Sequence, residues 1–312
     1  MNLLSVNNLS KAYGTKVLFQ KISFGIDHGQ KVALVAKNGS GKSTLFKILK
    51  GIEIADEGEV VFRKNIVVAF LDQDFTFDES LSIQQLIATA DNKFVRALRS
   101  YDEALKLNET HPGDASANKL NDALELMNEN GAWEYETEIA EILSRLELHD
   151  RSRIISTLSG GQKKRLALAL TLINKPDLII MDEPTNHLDI EMIEWLEHYL
   201  SDASLSILLV THDRYFLDEV CERIIEIDNH ELYEYVGDFE NYLEKKAERE
   251  QIKNAEIDKA RNLYRREVIW VRKMPKARTT KSKSRVDAFY EIEKKARQKR
   301  IEKRIELTVK ME

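Results

Sequence analysis

A glycine-rich stretch at residues 32–44, "VALVAKNGSGKST", contains the residue types that hold a phosphate group. In a phosphate-binding loop, consecutive backbone N–H groups point into one concavity, a lysine reaches the β and γ phosphates, and the following hydroxyl ligates Mg²⁺. Gly39, Gly41, Lys42 and Ser43 occupy the positions for these roles. A flexible loop with a chance lysine is the alternative, but the strand-like run before it and the helical "KSTLFKILKG" after it favour a phosphate site.

The first position of the pattern G-x-x-x-x-G-K-[ST] is Ala36 instead of glycine. Position 36 closes the apolar run, where a methyl group is tolerated if the backbone keeps a negative φ. The turn glycines are the positions whose φ values would be costly for other residues. We therefore predict a phosphate-binding segment made of Ala36, Lys37, Asn38, Gly39, Ser40, Gly41, Lys42, Ser43 and Thr44.

Two adjacent acids follow a second apolar run in "LIIMDEPTNHLD". The carboxyl ends of strands in open α/β sheets are where ligands bind. Asp182 can join a Mg²⁺ shell, and Glu183 can orient or deprotonate a water that attacks a γ-phosphate. A solvated turn is the alternative for such a pair.

Two more stretches could contact an anion. Ser159, Gly160 and Gly161 in "TLSGGQKKR" precede a helical run, and backbone N–H groups at a helix N-terminus bind anions. A lone Ser-Gly-Gly would by default be a linker. His212 ends the apolar run of "ILLVTHDRYFLDEV" and can hydrogen-bond a phosphate oxygen, although a lone histidine is more often structural.

The elements that must position these residues are short apolar strands. The runs "KVALVA", "NIVVAFL", "DLIIMD" and "SILLVT" are separated by helical segments, which predicts a parallel sheet covered on both faces. The earlier "LLSVNNLSKAYG" and "VLFQKISFGID" alternate more and predict a smaller antiparallel portion. The fold class is therefore α/β, with the layout of a nucleotide-binding domain.

An insertion at about residues 88–130 does not fit this sheet. Apolar residues recur at helical spacing, "HPGD" interrupts them, and the spacing then resumes, as seen in Phe94, Leu98, Tyr101, Leu105, Leu120, Leu124 and Met127. This pattern predicts a helical hairpin. Because the apolar face is narrow, we favour a projecting pair of helices packed mainly on each other over a subdomain packed on the body.

Composition limits the kind of molecule. The chain has 312 residues, of which 43% are hydrophobic and 32% charged, enough for a sizeable core. It has no apolar run of bilayer-spanning length and no signal-peptide pattern, so we predict a soluble, cytoplasmic protein without a membrane-spanning segment. The single cysteine, Cys221, excludes an internal disulfide and is interpreted as a small hydrophobic residue.

Charge is unevenly distributed along the chain. Residues 245–312 carry 23 basic and 11 acidic side chains, which leaves 24 basic and 42 acidic for residues 1–244. This asymmetry indicates an acidic body with a basic appendage that meets a polyanion, or else a solvated charged helix. Two helices are predicted, at 245 to about 270 and at 286 to about 306. The basic stretch between them predicts an exposed phosphate-binding tip made of Arg272, Lys273, Lys276, Arg278, Lys281, Lys283 and Arg285.

Together these motifs resemble the ATP-binding cassette family over residues 1 to about 244. "AKNGSGKST" is similar to its Walker A loop, "FLDQD" to its Q-loop, "LSGGQ" to its signature, "IIMDEP" to its Walker B strand and "THD" to its His switch. The relaxed family pattern admits alanine at position 36. The resemblance implies a P-loop fold that binds ATP and Mg²⁺.

The resemblance also implies roles for particular residues. It implies that Tyr13 stacks on adenine, Gln73 contacts the metal and attacking water, Glu183 is the catalytic base and His212 senses the γ-phosphate. Ser43, Gln73 and Asp182 are the implied metal-binding residues. Each ATP lies between the Walker A loop of one cassette and the signature of another, here Ser159, Gly160, Gly161 and Gln162. A single cassette is therefore expected to hydrolyse ATP poorly unless it dimerises.

Three stretches, "PTNHLD", "THDRYFLDEVCERIIEID" and "YVGDFENYLEKK", are similar to the ABC-F branch, and "VIWVRKMPKARTTKSKSRV" is similar to the linker of its Uup-like members. Members of that branch are soluble, join two cassettes by a long helical linker and act on ribosomes. The resemblance implies a cassette at 1–244 with an arm at about 88–130, and a basic helical linker at 245–312 that is cut off before a second cassette.

Two other functions stay open at this stage. The energising subunit of a membrane transporter would have the same five motifs, but transporter cassettes lack the arm and the charged double helix. A DNA-associated cassette ATPase would also suit a basic helical appendage, which binds any phosphate backbone. Sedimentation with ribosomes, retention on duplex DNA and recovery of a membrane permease would separate the three.

Overall fold

The fold is described from a computed structural model, which covers residues 1–72, 76–90, 92–202, 205–272 and 283–297. For residues 202, 272 and 283–286 it covers the backbone only. The strands in this part of the chain are β1 Asn2–Tyr13, β2 Lys16–Asp27, β3 Lys31–Ala36, β4 Glu57–Phe62, β5 Val68–Leu71, β6 Leu178–Asp182, β7 Ser206–Val210, β8 Arg223–Asp228 and β9 Glu231–Val236. The helices are α1 Lys42–Leu49, α2 Ile83–Ala88, α3 Lys93–Thr110, α4 Asp114–Asn130, α5 Ala132–Arg145, α6 Gly160–Ile173, α7 Ile190–Asp202, α8 Arg214–Val220, α9 Phe239–Arg272 and α10 Lys283–Ala296.

A six-stranded sheet forms the centre of the fold, in the order β5-β6-β7-β3-β8-β9. Its first five strands run parallel, and β9 pairs antiparallel with β8. Strands β6 and β7 consist almost wholly of buried aliphatic residues, because a sheet covered on both faces excludes water from both sets of side chains. The predicted parallel sheet is confirmed.

A second sheet of three antiparallel strands, β2-β1-β4, packs on the central sheet through a shared apolar core. Leu9 and Phe19 of this sheet are in one cluster with Leu34 of β3 and Leu45 of α1, all nearly fully buried. The predicted antiparallel portion therefore exists, and it includes β4, which the sequence patterns did not single out. Through this core the antiparallel sheet is held against the strand and helix that flank the glycine-rich loop.

The insertion forms the predicted hairpin of α3 and α4, which breaks at residues 111–113. The buried contacts include small residues that the apolar spacing missed, since Ala97 and Ala104 are buried whereas Leu98 and Leu105 are only half-buried. Small side chains let the two helix backbones approach closely. The apolar face is consequently broader than predicted.

The base of this hairpin packs on neighbouring helices as well as on itself. Phe94 of α3 stacks on Tyr135 of α5 with ring centroids 4.7 Å apart. The Tyr135 hydroxyl donates to the carbonyl oxygen of Ile173 at the end of α6, and burial raises the Tyr135 pKa to about 12. The arm therefore has a fixed attachment to the helices that follow it. Elsewhere in the fold, burial raises the Cys221 pKa to about 12, which fits its interpretation as a hydrophobic residue.

Contacts within the chain divide it into two units, Met1–Phe239 and Glu240–Glu312. In the described part of the second unit, α9 and α10 pack through the stacked rings of Tyr264 and Phe289, whose centroids are 5.5 Å apart. The predicted helix bounds need correction, because α9 begins at Phe239 and α10 at Lys283. Lys283 and Arg285 thus lie in a helix and not in a loop between helices.

We predict that Met127→Ala loosens the arm without unfolding the central sheet. Met127 is fully buried against Ala97 and Ala132, and truncation of a buried residue of this size costs about 2–5 kcal/mol. Hydrogen exchange should show faster exchange in α3 and α4 with protection in β6 and β7 retained. The neighbouring Leu126→Ala, at a position 37% exposed, is the control. Equal acceleration by both variants would contradict this account of the arm.

Candidate nucleotide-binding site

The glycine-rich loop connects the end of β3 to the start of α1 and has the backbone that a phosphate cradle needs. Ala36 is the last residue of β3, so its methyl group lies in regular strand backbone. Gly39 and Gly41 have φ values of +77° and +107°, which L-residues rarely adopt. A Cβ on Gly41 would lie 3.0 Å from the Leu18 Cβ and 3.2 Å from the Phe19 ring. The glycines that cannot be replaced are thus those after Ala36, as the sequence predicted.

Within the loop, hydrogen bonds hold the backbone in a turn. The Ser40 N–H donates to the Lys37 carbonyl at 3.1 Å, and the Lys42 ammonium donates to the Ala36 carbonyl at 2.8 Å. The first turn of α1 contains no acidic residue, so the positive end of the helix dipole is not neutralised there. The loop and helix together offer N–H groups, an ammonium and the Ser43 hydroxyl to an anion.

The two predicted acids lie where β6 ends. Asp182 is the last residue of this strand, and Glu183 follows with a φ of +54°, an uncommon value for a residue other than glycine. The Glu183 N–H donates to the carbonyl of Val210 on β7 at 2.8 Å, which fixes this strained turn to the neighbouring strand. Burial raises the pKa of the Asp182 carboxyl, with a further contribution from Glu183, while Lys42 and His212 oppose the rise.

His212 lies beside Glu183 at the end of the next strand. One oxygen of the Glu183 carboxylate accepts a hydrogen bond from the backbone N–H of His212 at 3.3 Å. The other oxygen lies 3.6 Å from the Nε2 atom of the His212 ring. The Glu183 side chain is 10% exposed, whereas that of His212 is 69% exposed. The pair can therefore place a carboxylate inside the site and an imidazole at its open side.

A cavity of about 610 Å³ brings most of the predicted residues together. Its predicted lining residues are Tyr13, Asn38, Gly39, Gly41, Lys42, Ser43, Thr44, Asp182, Glu183 and His212. Its volume is in the range of small-molecule sites. Aromatic, cationic and anionic groups thus surround one space of suitable size for a nucleotide.

Three lining residues, Lys16, Leu18 and Asn186, were not assigned by the sequence analysis. Lys16 begins β2 and pairs with Tyr13 across the hairpin, so the hairpin pattern could have revealed it. Asn186 lies in "PTNHLD", which carried part of the family resemblance without a role for this residue. Leu18 gave no signal beyond apolar alternation.

Other predicted residues of the loop do not line the cavity. The Lys37 ammonium forms an ion pair with Asp228 at 2.9 Å, and Ser40 has a buried hydroxyl. Ala36 contributes its carbonyl oxygen to Lys42, as described above. Ala36 and Ser40 therefore support the loop from inside, whereas the Lys37 side chain is exposed but lies outside the cavity lining.

The signature residues form a separate feature at the start of α6. Ser159 accepts from the Gln162 N–H at 3.2 Å, and the Gln162 side chain accepts from the Ser159 N–H at 3.1 Å, a reciprocal helix cap. Ser159 and Gly160 are exposed. Among the described residues that line the cavity, none comes from 159–162.

Some predicted residues cannot be placed in the site. Gln73 lies outside the described residues, as do Lys273, Lys276, Arg278 and Lys281 of the predicted basic tip. Arg272 ends α9, while Lys283 and Arg285 lie in the first turn of α10. In the described part of the chain, no helix is both long enough and apolar enough to span a bilayer.

Comparison with known proteins agrees with this arrangement. A family model described as "ABC transporter" matches residues 19–186, and a second model with the same description matches residues 225–307. Among solved structures, a protein described as the ATP-binding subunit of an ABC transporter is 21% identical and has a TM-score of 0.57. That likeness covers 75% of this chain and 90% of the other, and it supports the predicted P-loop cassette fold.

Curated relatives are similar over nearly the whole chain. An uncharacterized ABC transporter ATP-binding protein of Bacillus subtilis, YfmR, is 43% identical over 92% of this chain and 46% of its own length. The ATP-binding protein Uup of Escherichia coli is 34% identical over 93% of this chain and 45% of its own length. The energy-dependent translational throttle protein EttA of Mycobacterium tuberculosis is 32% identical over 96% of this chain and 53% of its own length. The chain thus spans about half the length of the curated relatives it matches.

Proposed function

The chain belongs to the ATP-binding cassette family, whose cassettes bind and hydrolyse ATP, and we propose that it serves as the N-terminal cassette and linker of a ribosome-associated ABC-F ATPase. The observation that carries the ATP part is the single cavity shared by the glycine-rich loop, Asp182, Glu183, His212 and Tyr13. The ribosomal part is supported by similarity to the energy-dependent translational throttle protein EttA.

In this proposal the phosphates bind to the N–H groups of the loop and to the Lys42 ammonium. Mg²⁺ fits the oxygen donors present, because it prefers hard oxygen ligands and retains water and phosphate ligands beside one or two from the protein. The Ser43 hydroxyl and the Asp182 carboxylate would hold it, and Gln73 is the third proposed ligand. When bound, the metal would neutralise charge that develops on the phosphate oxygens.

Glu183 is the proposed base for the attacking water. Its side chain is largely buried, it lines the cavity, its backbone is held to Val210, and its carboxylate accepts a hydrogen bond from the backbone N–H of His212. His212, next to it and exposed, would contact the γ-phosphate oxygen and so report whether that phosphate is present. Tyr13 at the cavity edge would stack on adenine.

The signature at 159–162 is proposed to act on a nucleotide held by another cassette. Two observations support this proposal. Ser159 and Gly160 are exposed, and the described residues that line the cavity include none from the signature. The second cassette would belong to a longer chain or to another copy of this one. A cytoplasmic location is part of the same proposal.

We predict that Lys42→Ala weakens the binding of ATP with Mg²⁺ at least several-fold. The change removes a charged hydrogen-bond donor to the β and γ phosphates, and bonds of this kind are stronger than neutral ones. Isothermal calorimetry measures the affinity directly. Lys31→Ala is the control, since the Lys31 ammonium donates to the Ser201 carbonyl and does not line the cavity. An ATP affinity equal to that of the parent would show that Lys42 does not bind the phosphates.

For Glu183→Gln we expect ATP binding to persist while hydrolysis is lost. Glutamine keeps the shape of the side chain but cannot accept the proton of the attacking water. Radiolabelled ATP should be retained on the variant, and at a protein concentration at which the parent releases phosphate measurably, the release should fall by about 100-fold or more. If phosphate release continues at the parental rate, the base is another residue.

For the basic segment we predict that replacing Arg272, Lys276, Arg278 and Lys281 by alanine lowers ribosome association and leaves ATP binding intact. Contacts between lysine or arginine and phosphate weaken with salt, with a log-log slope of about −0.7 to −0.9 for each phosphate neutralised. Co-sedimentation with ribosomes over a salt series should therefore show a lower affinity and a flatter slope.

The control for this experiment removes four exposed basic residues of the cassette, Lys21, Lys47, Arg63 and Lys64. Equal losses in the two variants would indicate a nonspecific charge effect and contradict a role for the segment. Retention on duplex DNA is measured at the same salt concentration. Stronger binding to DNA than to ribosomes would favour a DNA-associated ATPase. Co-purification of a membrane permease without ribosomes would favour a transporter subunit.

A further inference from the structure

Lys11 is a buried cation on β1, two residues before Tyr13. Only 8% of this lysine is exposed, and lysines are rarely buried unless their charge is paired. Its ammonium donates to the Ile54 carbonyl at 2.6 Å and lies 2.8 Å from the Glu53 carboxylate and 3.4 Å from that of Asp56. Three oxygens from one segment therefore surround the ammonium and compensate for its removal from water.

The same ammonium lies against the ring of Tyr13. Its Nζ atom is 5.4 Å from the ring centroid, within the distance at which a cation is attracted to an aromatic face. The pairing of β1 with β2 is irregular between Lys11 and Ala12, and this irregular segment brings the Lys11 ammonium to the ring of Tyr13. Because the ammonium occupies one face of the ring, a nucleotide base can stack only against the other.

Further hydrogen bonds attach this arrangement to the strand. The Ala12 N–H donates to the Asp56 carboxylate at 2.7 Å, and the Asp56 N–H donates to the Ser10 carbonyl at 2.9 Å. The hydrogen bond from Lys11 is the main cause of a lowered Glu53 pKa. Tyr13 thus lies against the cation, while the residue remains 49% exposed at the cavity.

We propose that Lys11, held by Glu53, Asp56 and Ile54, is a positioning residue that fixes the ring of Tyr13 for base stacking. It therefore contributes to the preference for a nucleotide over a bare triphosphate. This inference rests on the proposed function, in which Tyr13 stacks on the base. Lys11 does not touch the ligand and acts only through Tyr13. A purely structural role, in which Lys11 ties residues 53–56 to β1, would not distinguish the base from the phosphates.

The test compares two ligands, ATP and inorganic tripolyphosphate, both with Mg²⁺, by calorimetry on the parent and on Lys11→Met. Methionine keeps an unbranched apolar side chain and removes the charge. We expect ATP affinity to fall by about 3- to 10-fold, because a ring that is no longer held must be ordered when the base stacks on it, with tripolyphosphate affinity unchanged. Equal losses for both ligands, or no loss for either, would overturn the proposal.

Two further variants separate this proposal from the function on which it rests. Tyr13→Leu should lower the affinity for ATP but not the affinity for tripolyphosphate. Adding Lys11→Met to this variant should cause no further loss, because Lys11 acts through the ring. If Tyr13→Leu leaves ATP affinity unchanged, base stacking itself is wrong. If Tyr13→Leu lowers only the affinity for ATP but Lys11→Met does not show this selective loss, only the role of Lys11 is wrong.

A control and a substitute variant complete the design. Lys31→Met removes a lysine that also bonds a backbone carbonyl but lies outside the cavity, and it should alter neither affinity. If Lys11→Met fails to fold because two acids lose their partner, the triple variant Lys11→Met, Glu53→Gln, Asp56→Asn removes those charges as well. The same selective loss of ATP affinity is expected from it, and an unselective result would again overturn the proposal.

Discussion

The parallel register of β6, β7, β3 and β8 is the constraint on which the site depends. Asp182 lies opposite Val210, and Ala36 lies opposite Ile227, so these four strands end at one edge of the sheet. The phosphate loop follows β3, Asp182 ends β6 with Glu183 directly after it, and His212 lies two residues beyond the end of β7. A shift of one residue in the register would turn every side chain to the other face and would displace Asp182 by one position relative to Val210.

This rigid edge also supports backbone conformations that are unfavourable by themselves. Glu183 has a positive φ, and such residues cost on the order of 1–3 kcal/mol each when they occur outside glycine. The hydrogen bond from the Glu183 N–H to Val210 makes β7 the support for this turn. The strain places a carboxylate at the cavity, which explains why an unfavourable turn lies at the end of such a well-packed strand.

Much of the fold and of the cavity could be predicted because the signals were local. The apolar runs gave the strands, and the spacing of Gly39, Gly41 and Lys42 gave the loop, since a phosphate cradle is built from consecutive residues. The helical hairpin followed from apolar spacing, but Ala97 and Ala104 were missed because alanine gives little contrast between buried and exposed positions. The start of α10 was wrong by three residues, as a basic run of Lys, Ser and Arg is compatible with either helix or loop.

Features built from distant segments could not be predicted in this way. Lys11 and Ile54 are separated by 43 positions, and Lys37 and Asp228 by 191, so no local pattern indicates either pair. Each pair forms because segments that are distant in sequence meet in space. The surroundings of the nucleotide cavity therefore depend on the tertiary fold even where the residues that contact phosphate are evident from a motif.

The central claim is that this cavity provides only part of a working ATPase site and that a second cassette must complete it. The most direct test is the rate of phosphate release per chain, measured over a wide range of protein concentration with saturating ATP and Mg²⁺. The account predicts very slow turnover when the chains are dilute and a rise in turnover per chain if higher concentration brings cassettes together. Turnover per chain that is independent of concentration and reaches about 10 s⁻¹, a typical enzymatic rate, would contradict it.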